Sequence, residues 1–169
     1  MKIFKIICLI SYLIVLIIFT VGYASQPIFT TSYSKNNSEN KYEVIITNPD
    51  NMVEGHIETL IQILFYFCIG TTLLLFIGIL LGYIGLIGFI FISKIIFIIV
   101  FLLMLIVFVM IQISIIGAEL DYDNTNTNTN NNIDNRILNI KYSNGNGYYM
   151  IIASLCLMLI TNIIYWLLV

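Results

Sequence analysis

The chain has 169 residues, 60% of them hydrophobic and only 9% charged, with a net charge of −2. Residues 59–118 contain a single charge, Lys94. A water-soluble fold of this size cannot hide such a run, so the composition excludes a soluble domain and points to an all-α integral membrane protein whose first partner is the lipid bilayer.

In chain order, the first apolar stretch follows Met1-Lys2-Ile3-Phe4-Lys5 and predicts a helix at about 6–24. It has two readings: a retained signal-anchor helix, or a secretory signal cut after Ala24, because small residues stand at Gly22-Tyr23-Ala24-Ser25. The polar loop that follows, at about 25–58, contains two segments rich in β-branched and aromatic residues. They are Ile28-Phe29-Thr30-Thr31-Ser32-Tyr33-Ser34 and Lys41-Tyr42-Glu43-Val44-Ile45-Ile46-Thr47, separated by turn-forming residues, and they predict a β-hairpin. Asn36-Asn37-Ser38 is a sequon, making Asn36 the candidate glycosylation site.

The long apolar run comes next. About 60 residues would make about 90 Å of helix, and a bilayer core of about 30 Å takes about 20 residues to cross. By length this is two long spans or three tight ones, or two with a re-entrant or interfacial piece at 83–94; two spans are preferred because they leave room for a turn. Gly82, Gly85 and Gly88, followed by Ser93 and Lys94, mark the turn. Helices are therefore expected at about 59–83 and 89–118, with Lys94 reaching the headgroups along its alkyl stem. Gly78 and Gly82 form a GxxxG, and Gly70 lies on roughly the same face. A face of small residues lets a second helix approach closely, either within the bundle, in a second copy, or in another membrane protein.

The second loop, at about 119–147, begins with acidic residues and then the low-complexity tract at 124–132, which is expected to be a disordered insertion. Ile137-Leu138-Asn139-Ile140-Lys141-Tyr142 offers a third strand, closed by Ser143-Asn144-Gly145-Asn146-Gly147. With the hairpin it would make a small β-sheet drawn from both loops. The last helix is expected at about 148–169, with Tyr148 and Tyr149 at one end and Tyr165 and Trp166 at the other, as interfacial belts. The whole is a four-transmembrane-helix bundle forming a single membrane domain.

Topology follows from charge. All nine acidic residues fall in the two polar loops, whereas Lys2, Lys5 and Lys94 lie on the opposite side without an acid. Positive charges in short segments stay cytoplasmic. Both termini are therefore expected in the cytosol and both loops outside or in a lumen, in a plasma membrane or an endomembrane.

The spans contain no Asp, Glu, Arg or His, and this argues against proton relays, voltage sensors and ion-coupled transport. Gln62, Gln112 and Asn162 are read as hydrogen-bonding residues of helix packing. Cys8, near the cytosolic helix end, is read first as a buried inert thiol and second as a candidate for palmitoylation. His56, the one histidine, stands between Glu54 and Glu58 without the convergent ligands that a metal needs. No nucleophile–base motif, phosphate loop or dinucleotide fingerprint occurs. No catalytic residue, cofactor, metal or nucleic-acid partner is expected.

The order of short N-terminus, longer outer loop, tight inner turn, second outer loop and last helix, with strands in the outer loops, is similar in layout to claudin-like tetraspans. The first loop has neither the tryptophan nor the cysteine pair of those proteins, and the tetraspanin Cys-Cys-Gly motif is absent. No residue role is carried over and no family is assigned. The expected function is that of a non-enzymatic organiser, adhesion-like component or accessory subunit. The alternative is a small channel or facilitator with a neutral polar path.

Overall fold

The computed structural model describes residues 2–35, 38–46, 56–128 and 140–169. They form α1 (Lys2–Ala24), β1 (Phe29–Lys35), β2 (Ser38–Val44), α2 (His56–Ile84), α3 (Ile87–Asn128), β3 (Ile140–Asn144) and α4 (Asn146–Leu168). Each helix contains a stretch long and apolar enough to cross a membrane: Ile3–Ala24, Thr59–Ile84, Ile87–Ile116 and Asn146–Leu168. The chain therefore has the architecture of a multi-pass membrane protein.

The helices run up, down, up and down. The closest pairs are α1 with α4 and α2 with α3, joined less extensively through α1–α2 and α3–α4. The two ends of the bundle differ. The turn end carries the start of α1, the α2–α3 connection and the end of α4. The sheet end carries the three strands.

Lipid tails are as apolar as leucine, so burial of apolar side chains cannot by itself drive these helices together. What separates the inner face from the outer is spacing. Buried positions on α2 are Ile61, Leu64, Cys68, Thr71, Leu75, Gly78 and Gly82, and on α3 Ser93, Phe97, Val100, Met104, Val107, Ile111 and Ser114. On α4 they are Gly147, Ile151, Ser154, Met158, Thr161 and Tyr165, with Asn162 beside them. On α1 they are Cys8, Tyr12, Val15, Phe19 and Gly22, with Leu9 and Tyr23 beside them. Steps of three and four alternate throughout, the seam of left-handed bundle packing. The outer faces are no less apolar: Ile87 is 90% exposed and Leu167 77%, surfaces suited to lipid contact.

The connection between α2 and α3 is only Gly85-Leu86. Gly85 has φ of +77°, the left-handed conformation that ends a helix at least cost in glycine. The Lys5 amino group lies 2.7 Å from where a Cβ on Gly85 would sit. This places a cation over the carbonyl end of α2, where the helix dipole favours it.

The sheet has strand order β2-β1-β3, with both pairings antiparallel. Thr31 is opposite Tyr42 on one side and Tyr142 on the other, so β1, from the first loop, is the central strand. The third strand takes in Ser143 and Asn144, which were expected to form a turn, while residues 137–139 lie outside the described residues. The ladder to β1 continues to Phe29↔Asn144. The Gly145 amide then donates to the Ile28 carbonyl at 3.0 Å, and the Gly147 amide to that of Pro27 at 2.9 Å, passing directly into α4.

A second correction concerns α3. It does not end near residue 118 but continues to Asn128, through part of the Asn/Thr tract expected to be disordered. A helix already nucleated by a long span extends residue by residue, even through weak formers such as Asn and Thr. Its 42 residues are about 63 Å of helix, about twice what a bilayer core of about 30 Å takes to cross.

Candidate functional site

Two places carry specific geometry. At the turn end, residues from all four helices meet inside the bundle. The Tyr12 hydroxyl of α1 donates to Asn162 Oδ1 of α4 at 2.7 Å, and Asn162 Nδ2 donates to the Phe97 carbonyl of α3 at 3.3 Å. The Tyr12 ring stacks on Phe97 with centroids 3.7 Å apart. Tyr165 closes edge-on against both rings, at 5.7 and 5.4 Å. Its hydroxyl shares a 3.1 Å hydrogen bond with Ser93 Oγ. The α2 wall is Gly82, where an added Cβ would meet Leu9 Cδ2 at 2.8 Å and the Ser93 and Tyr165 oxygens at 3.4 Å. Tyr12, Phe97 and Tyr165 have no exposed surface. Each polar atom introduced here therefore has a partner within the cluster, as buried polar groups require.

Lys94 lies just outside this cluster. Its ammonium is 5.3 Å from the Trp166 ring centroid and 5.9 Å from that of Tyr165, within the range of cation–π attraction. Trp166 is 45% exposed. Trp166 is compatible with the interfacial belt expected for the pair, but Tyr165 faces inward, because only one of two adjacent helical residues can occupy the seam.

At the sheet end the contacts are between backbones. An added Cβ on Gly145 would collide with the Pro27 carbonyl, and one on Gly147 with the Gly22 carbonyl oxygen. Ile28, Phe29 and Ile46 are buried beneath the sheet. Thr30 hydroxyl reaches Ser143 across the β1–β3 pair. The sheet thus sits directly on the α1–α4 pair. No known protein family matches this chain, and no curated protein is similar to it.

The residues singled out from sequence separate clearly. Gly78 is closely packed, with a Cβ there 2.8 Å from the Phe97 ring and 3.0 Å from Ile96 Cγ2, and Gly82 touches the polar cluster. Gly70 does not share that contact: nothing lies within 4 Å of its Cβ position. It opens on a cleft between α2 and α3, lined by Tyr66, Phe67 and Leu103 among others. Gly70 precedes Gly78 by eight residues, and this step drifts off a seam that repeats every seven.

Asn162 joins three helices. Gln62 stands on the exposed face of α2, one position past the seam residue Ile61. Gln112 is half-buried on α3, and among the described residues its Nε2 finds no partner. Cys8 is 2% exposed, on the inner face of α1. Asn36 lies outside the described residues.

Sequence reasoning did not single out Tyr12 or Phe97, took Ser93 only as a marker of the turn, and did not place Tyr165 inside. The available signal was a tyrosine two turns into an apolar helix, too deep for a headgroup belt and in need of a hydroxyl partner.

Proposed function

We propose that this protein is a non-enzymatic tetraspan that holds a small β-sheet at the membrane surface as a contact platform for other membrane or surface proteins. The observation that carries this reading is the mounting of the sheet. Its central strand comes from one loop and an edge strand from the other, and backbone hydrogen bonds from Gly145 and Gly147 to Ile28 and Pro27 tie the start of α4 to the segment that leads from α1 into β1. A platform fixed in this way loses little conformational freedom on binding. Its edge strands offer backbone groups of the kind used in strand addition.

The bundle interior supports the same reading. Large side chains fill its axis, including Phe19, Leu75, Met104 and Met158, all without exposed surface. The hydroxyls that a neutral pathway would use are turned back onto their own helices. Thr71 donates to Phe67 O, Ser114 to Met110 O, Ser154 to Ile151 O and Thr161 to Leu157 O. The orientation proposed is the one that charge suggests, with the lysine-bearing turn end in the cytosol.

The test pairs two measurements. Purified protein in liposomes should pass no more ions or small solutes than empty liposomes. Partners captured from cells by the wild type should be lost with Thr31→Pro, which breaks the central strand while leaving the helices intact. Reproducible conductance from pure protein would establish the channel alternative. A reporter placing the first loop in the cytosol would reverse the orientation.

A further inference from the structure

We propose that the turn end of the α3–α4 groove binds an anionic phospholipid, with the phosphate on Lys94 and one acyl chain in the groove beyond it. Two open clefts flank Lys94. The larger, about 460 Å³, lies between Ile98 of α3 and Ile163, Trp166 and Leu167 of α4. The smaller, about 320 Å³, includes Lys94 itself with Ile87, Ile90, Phe91 and Val169. On α3 the positions Ile87, Phe91, Lys94 and Ile98 recur every three or four residues, so both clefts open on one face of the helix.

The depth of Lys94 is set by the length of α3. The apolar span Ile87–Ile116 is about 45 Å of helix, longer than a hydrocarbon core of about 30 Å, so Lys94, about two turns from its start, reaches headgroup depth. The larger cleft extends from there into the hydrocarbon. Water is not available to fill an apolar slot at that depth, so the natural occupant is a hydrocarbon chain.

The ammonium at its mouth is steadied by the Trp166 and Tyr165 rings, and among the described residues it pairs with no carboxylate. A cation with no side-chain carboxylate paired to it among the described residues, beside a slot for an acyl chain, is complementary to a lipid with net negative charge. Phosphatidylcholine brings its own cation and is a poorer match.

Trp166 is the only tryptophan in the chain, so its fluorescence reports on this groove alone. The full chain would be reconstituted in phosphatidylcholine vesicles containing a fixed fraction of either phosphatidylglycerol or phosphatidylcholine brominated on the acyl chain. Brominated phosphatidylglycerol should quench Trp166 with an apparent affinity about fivefold higher, the scale of one lysine near an anionic surface.

Lys94→Gln should bring the ratio to about one, and Lys94→Arg should keep it. The double variant Lys2→Gln, Lys5→Gln should also keep it, because those charges lie on another helix. Free inorganic phosphate should not compete. Ile98→Phe, which fills the slot but leaves the charge, should lower quenching by brominated phosphatidylglycerol. Equal quenching by both lipids in the wild type would overturn the proposal. So would a preference that survives Lys94→Gln or disappears with the Lys2/Lys5 double variant.

Discussion

The two ends of the bundle are held together by different physics. At the turn end, the helices meet through side chains: Tyr12 on Asn162, Tyr165 on Ser93, and three aromatic rings packed on one another. At the sheet end, α1 and α4 meet through backbone atoms, with Gly147 against Gly22 and the Pro27 carbonyl accepting from the Gly147 amide. A side chain can adjust its rotamer when a neighbour changes, whereas a backbone carbonyl fixed in a helix or strand cannot. The sheet end should therefore tolerate added volume least, while the turn end should register the loss of single polar atoms in small, graded steps.

Four substitutions test that contrast by SDS-titrated unfolding in mixed micelles followed by helicity. The largest effect is expected for Gly147→Val, whose Cβ meets backbone oxygens on three residues. A loss of at least about 3 kcal/mol is expected, and a stability close to wild type would remove the distinction between the two ends. Gly78→Ala comes next, at about 2 kcal/mol, because the new methyl presses on a Phe97 ring already pinned by Tyr12.

Tyr12→Phe keeps the stacking and removes only the hydroxyl, so it should cost about 1 kcal/mol. A much larger loss would mean that the hydrogen bond, and not the ring packing, organises this end. The smallest change has the opposite sign. Gly70→Ala adds a methyl to open space in a helix interior and should stabilise by about 0.5 kcal/mol. A loss there would show that Gly70 is covered by a second copy of the chain.

Much of the architecture can be read from local pattern. The four spans, the turn at Gly85 and the strand segments around Thr31 and Tyr42 depend on apolar length, glycine and β-branched residues over short windows. The candidate site was far less legible. The four helices are apolar on every side, so hydrophobic periodicity gives little contrast between the face toward lipid and the face toward protein. The inner face is marked instead by small and hydroxyl-bearing residues at three-four steps, such as Gly78, Gly82, Ser93 and Ser154. Only the first two stood out, as a GxxxG. Tyr165 and Trp166 are adjacent in sequence and equally aromatic. One completes the core and the other faces outward.

The sequence by itself determined that this protein has four apolar helices, where they turn and which segments between them are extended, because these properties depend on composition along a line. The tertiary structure alone decided that β1 lies between β2 and β3, that Tyr12 reaches Asn162, that Gly70 stands apart from Gly78, and that Lys94 rests on Trp166 at the mouth of a groove. Each of these joins residues distant along the chain, and only the packing of four nearly uniform cylinders sets which of their faces meet.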